Sequence, residues 1–72
     1  NKITYMKQFI KLHNSNDNTI IIVNSSKIDL IDTEWSDDRN RFISHIYLNS
    51  NSVSDFYVNE TAEKIFQMFN EK

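Results

Sequence analysis

Asp55-Phe56-Tyr57-Val58-Asn59-Glu60-Thr61-Ala62-Glu63-Lys64-Ile65-Phe66-Gln67-Met68-Phe69 is the stretch on which the fold turns, because the hydrophobic period changes inside it. Up to Val58 the apolar residues come in short β-rich runs. Beyond Asn59, residues Ala62, Ile65, Phe66 and Phe69 stand at i, i+3, i+4 and i+7, one stripe of an amphipathic helix. Asn59 is suited to cap it, and Glu60 and Glu63 suit the positive end of its dipole. The predicted helix covers 59–71. At about three turns it is not stable alone, so it is expected to dock through that stripe as core packing.

Upstream, polar clusters at 14–18, 24–26, 36–41 and 49–52 divide runs rich in isoleucine, valine, phenylalanine and tyrosine. These runs suit strands at 5–13, 19–23, 27–34, 41–48 and 53–58. The turn spacing of roughly 8–12 residues is that of an antiparallel meander. In the first run Ile10 and Leu12 share a face with Gln8, against Lys7, Lys11 and His13, with Phe9 outward. Ile20-Ile21-Ile22-Val23 is apolar on both faces, and Phe56-Tyr57-Val58 leaves an aromatic on each side. Such a sheet needs two covers: the helix on one face, and barrel-like closure or a second chain on the other.

The chain has no glycine and no proline, where average usage would supply about eight or nine of the two together. Asparagine is the next-best residue for φ > 0, so Asn16, Asn18, Asn24, Asn40, Asn49 and Asn51 become the expected turn-formers. Glycine-rich phosphate loops and strained nucleophile turns cannot be built from this composition.

The 72 residues fit one domain, 1–72. A fold of this size buries only about 60% of its unfolded surface. With no cysteine and only His13 and His45, neither disulfides nor a metal can reinforce it, and oligomerisation is the remaining remedy. Lys+Arg 8 against Asp+Glu 10 gives a net charge of −2, which argues against a non-specific nucleic-acid binder. No apolar run has the length of a membrane span and no signal sequence opens the chain, so the expected location is cytoplasmic.

Few residues announce chemistry. Two imidazoles make no stable zinc site, and no spacing recommends Asp17 or Asp55 as a third ligand; both histidines read as surface residues. Asn14-x-Asn16-x-Asn18 has the start of a calcium-loop rhythm but has Thr19 in place of the glycine and Ser25 in place of the glutamate, which rejects it. Asp29, Asp32, Glu34, Asp37 and Asp38 surround Trp35, with Arg39 and Arg41 placed to pair locally. This reads as a solvated strand end, with Trp35 either an interface anchor or a cap on the core. No serine–histidine–acid spacing suggests a nucleophile, so no catalytic residue, metal or cofactor is assigned.

From Met6 onward, three stretches carry a family likeness. They are Phe9-Ile10-Lys11-Leu12, then Val23-Asn24 through Lys27-Ile28-Asp29-Leu30-Ile31, then Val58-Asn59-Glu60-Thr61. Together they resemble the small FlbD-like proteins of bacteria and phages and, more distantly, half of a LytTR DNA-binding domain. Asn49-Ser50-Asn51 departs from that family's glycine-bearing hairpin, and 36–41 is longer than expected. Residues 1–5 precede the likeness and read as an extension. The resemblance implies a small α+β fold, a five-stranded antiparallel β-meander closed by one C-terminal helix, and transfers no catalytic residue.

The leading expectation is a non-catalytic, self-associating binding module, a homo-oligomer meeting through Phe9, Ile21, Val23 and Phe56. An alternative is a phage counter-defence protein that blocks a host enzyme or sequesters a small nucleotide. There Trp35, Tyr47 and Tyr57 would stack, and Lys27, Arg39 and Arg41 would supply charge. A LytTR-like DNA-binding regulator is a further alternative, disfavoured by the acidic charge.

Overall fold

In the computed structural model, residues 9–53 and 55–70 are described. Strands β1 (Phe9–His13), β2 (Ile20–Asn24), β3 (Ile28–Ser36), β4 (Arg41–Leu48) and β5 (Asp55–Val58) are followed by helix α1 (Ala62–Asn70). A 3-10 turn, Ser25–Lys27, stands between β2 and β3. The predicted residues 5–8 of the first strand, the upstream 1–5 and the predicted helical residue 71 lie outside the described residues.

The strand–helix composition is as expected, but the single five-stranded meander is corrected. Two antiparallel sheets form instead, β1–β2 and β3–β4–β5. Asn24 explains the break. Its Oδ1 accepts hydrogen bonds from the backbone N (3.0 Å) and Oγ (2.8 Å) of Ser26, bending the chain into the 3-10 turn where a hairpin was expected. β2 and β3 therefore leave each other without a ladder, and no barrel closes. The sheets meet at another corner, where Asn14 bridges Val58 antiparallel. There Ser15 N donates to Tyr57 O (3.0 Å) and Asn59 N donates to His13 O (2.9 Å).

Turn chemistry follows the asparagines in part. Asn18 (φ 62°) and Asn40 (φ 55°) occupy the left-handed region, in the β1–β2 and β3–β4 turns respectively. Asn16, Asn24, Asn49 and Asn51, also expected as turn-formers, are not at positive φ. Around Asn18, Asn14 Oδ1 accepts from Asn16 N and Asp17 Oδ1 accepts from Thr19 N and Oγ1. The stretch that mimics a calcium loop is thus a tight turn satisfied by its own side chains.

Ile10, Leu12, Val23, Ile46, Val58 and Ile65 form the core, drawn from β1, β2, β4, β5 and α1. Each fully buried aliphatic side chain contributes roughly 1.5–3 kcal/mol. Helix α1 meets this core through Ile65, with a narrower seat than its stripe predicts. Ile65 is buried and Met68 packs beside the core, whereas Phe66 is 62% and Phe69 38% exposed. Phe66 lies about 100° around the helix from Ile65, beyond the reach of so small a core. The expected cap is also corrected: Thr61 Oγ1 accepts from Lys64 N (3.1 Å), and Asn59 lies outside the helix. Among the described residues no helix is long and apolar enough to cross a membrane.

Candidate functional site

The densest polar constellation lies on the face of β3–β4–β5 turned away from the core. β4 is the central strand, and its Ile43, Ser44, His45 and Ile46 are all buried. Ser44 and Ile46 point to the core side, so His45 and Tyr47 share the other face. The register sets Asp32 of β3 and Tyr57 of β5 directly opposite His45. Glu34 and Asp55 then fall on the two diagonals, within reach of long cross-strand side chains.

That register produces a buried histidine with a carboxylate at each nitrogen. His45 Nδ1 is 3.0 Å from Glu34 Oε2, and Nε2 is 2.7 Å from Asp55 Oδ2. The ring lies between two tyrosines, with Tyr47 stacked at 4.2 Å and Tyr57 at 4.0 Å between centroids. Tyr57 OH donates to Glu34 Oε1 at 3.3 Å. His45 is 7% exposed, against the expectation of a surface histidine. Burial, the largest single influence, favours the neutral ring. Hydrogen bonds to Asp55 and Glu34, with their charges, outweigh it and raise the pKa above the ordinary histidine value. Tyr47 and Tyr57 are raised as well, first by burial and then by the charge of Glu34, so their hydroxyls keep their protons. The carboxylates sit at opposite ends of one ring and do not converge. Among the described residues no histidine–carboxylate group could hold a metal ion.

A second polar cluster ties the sheets together. Glu60 accepts from His13 N (2.9 Å) through Oε1 and meets His13 Nδ1 (2.6 Å) through Oε2. Ser44 Oγ donates to Glu60 O at 2.6 Å. Burial pushes the Glu60 carboxyl up, but its hydrogen bonds to His13 prevail and hold it below the usual glutamate range. Asn59, expected as a helix cap, is instead a hub. Its Oδ1 accepts from Arg41 Nη2 (2.7 Å) and its Nδ2 donates to Asn18 Oδ1 (2.9 Å). His13 is thus half-buried and engaged, again unlike a free surface histidine.

Of the six residues expected to bind a ligand, only Tyr47 and Tyr57 come together, and His45 fills the space between them. Arg41 is turned to Asn59, and Arg39 lies in the β3–β4 turn. Lys27 is exposed in the 3-10 turn, at the opposite end of β3 from Trp35. Trp35 is 51% exposed, which removes the reading as a core cap. Its Nε1 donates to Asp37 Oδ1 (2.9 Å), and its ring meets Phe42 edge-on at 5.0 Å. The four residues expected at an oligomer interface also divide. Phe9 is exposed, whereas Val23 is buried in the core and Ile21 and Phe56 pack against it. Ile20 and Ile22 share the outward face of the hairpin with Phe9, because the register pairs Ile22 with Lys11 and Ile20 with His13. Glu34, His45 and Asp55 escaped the sequence reading as a group, since only the strand register makes them neighbours.

No protein-family model, no curated protein and no solved structure matches this chain. The likeness to FlbD-like proteins therefore rests on the three short stretches quoted above.

Proposed function

We propose that this chain is a FlbD-like, non-catalytic binding module that self-associates. The supporting observation is an imbalance of apolar surface: among the described residues ten large hydrophobic side chains are exposed, against seven buried. The outward face of the β1–β2 hairpin holds three of these, Phe9, Ile20 and Ile22, each more than half exposed. They stand on this face beside Lys11, His13 and Asn24, and exposed apolar residues rimmed by polar ones are characteristic of an interaction face. A small core gives the chain reason to gain stability from a second copy. The interface residues are accordingly Phe9, Ile20 and Ile22, in place of Ile21, Val23 and Phe56.

A nucleotide-sequestering role finds less support. Tyr47 and Tyr57 are already stacked on His45 and bordered by Asp32, Glu34 and Asp55, an acidic setting that repels phosphate. The same charge disfavours DNA.

Sedimentation equilibrium from low to high micromolar concentration tests self-association. Wild type is expected above monomer mass, and Ile22→Lys is expected to be monomeric with its strand amide resonances preserved. A wild-type monomer at every concentration would remove the proposal.

A further inference from the structure

A neutral imidazole carries one N–H, so it can donate to only one of two flanking carboxylates. The other nitrogen would then point a lone pair at a carboxylate oxygen. Glu34 at 3.0 Å and Asp55 at 2.7 Å occupy both ends of the His45 ring, and Tyr47 and Tyr57 close both of its faces. Only the imidazolium satisfies both ends, and aromatic faces also favour a cation.

We propose that His45 is held as an imidazolium and acts as a proton-dependent clasp joining β3, β4 and β5. β5 has only four residues and is an edge strand of the three-stranded sheet. Removing the proton replaces one charge-assisted bond with a repulsive contact, and the loss falls on this shortest strand. β5 also carries Val58, the residue bridged to Asn14, so the clasp governs how firmly the hairpin sheet is held. The charged and titratable groups facing the ring are Asp32 and Glu34 from β3, Tyr47 from β4, and Asp55 and Tyr57 from β5. Glu34 and Asp55 meet the ring directly, while Asp32 stands opposite it in the register.

The direction of the pH effect follows from a folded-state pKa raised above the ordinary value of about 6.5. The clasp's contribution is complete below that value and is lost as pH rises through the folded pKa.

Long-range proton–nitrogen correlation spectra of the full chain, recorded from about pH 5.5 to pH 9, read the ring directly. The titration midpoint, read at both His45 nitrogens, is expected above the ordinary value of about 6.5. Glu34→Gln and Asp55→Asn, which remove part-exposed carboxylates and leave the core intact, should each lower that midpoint. The protection of the Phe56–Val58 amides, corrected for the intrinsic rise of exchange with pH, should fall as the ring deprotonates, and in His45→Gln it should not follow this titration. A midpoint at or below about 6.5, or one unmoved by both carboxylate variants, would overturn the clasp. Because His45 is read through its own resonances, neither the oligomeric state nor poor folding of His45→Gln can mask the result.

Discussion

At the residue scale, asparagine replaces glycine where the backbone must turn left-handed. Asn18 and Asn40 have φ of 62° and 55°, each inside the turn of a hairpin. Glycine adopts this region without a Cβ penalty, whereas a β-branched residue resists it. Asn40→Gly is thus expected to be neutral or slightly stabilising, and Asn40→Val to cost about 1–2 kcal/mol. Asn18 also accepts a hydrogen bond from Asn59, so Asn18→Gly should lose part of that benefit. Urea unfolding of the three variants measures these differences; equal stability for valine and glycine at Asn40 would contradict the assignment. Asparagine's part in the turns was legible from composition. Which asparagines turn left-handed was not, because Asn24 uses its side chain to build a 3-10 turn with ordinary φ of −74°.

At the element scale, strand positions were legible because β-rich runs alternate with polar clusters, and each of the five runs became a strand. What the runs could not disclose was partnership. A polar cluster that ends a strand looks the same whether the chain then folds back or turns a corner. The helix illustrates a related limit. Its stripe of Ala62, Ile65, Phe66 and Phe69 was evident, but the width of its seat depends on the core beneath, which admits Ile65 and Met68 more fully than the phenylalanines. Ile65→Ala is therefore expected to cost about 2–5 kcal/mol. Phe66→Ser should change monomer stability by less than about 1 kcal/mol, as for a surface substitution. Chemical denaturation monitored through α1 would separate the two, and equal losses would mean that Phe66 is buried after all.

At the scale of the whole molecule, two sheets are held together by few contacts, and Glu60 is central among them. Against the opposing effect of burial, its hydrogen bonds to His13 lower its pKa from the ordinary glutamate value of 4.5. This contribution is complete above that value and is lost as pH falls through the depressed folded value. Glu60→Gln should cost about 1–3 kcal/mol at neutral pH and flatten the acid side of the stability profile. Thermal melts between about pH 2.5 and pH 7 give the comparison, and a parallel acid decline in both proteins would exclude Glu60 as its source. The molecule thus has two histidine–carboxylate ties with opposite pH dependence. Neither was legible, because Glu60 is 47 positions from His13 and Asp55 meets Glu34 only through the ring of His45.

That separation of 47 positions also sets an order in time. The three hairpins, β1–β2, β3–β4 and β4–β5, are local and can close within about 1–10 μs, whereas the meeting of His13 and Asn14 with Val58 and Glu60 must gather most of the chain. The corner between the sheets is consequently the last part to assemble. The cost of Glu60→Gln should then appear as faster unfolding, with the folding rate nearly unchanged, in stopped-flow measurements.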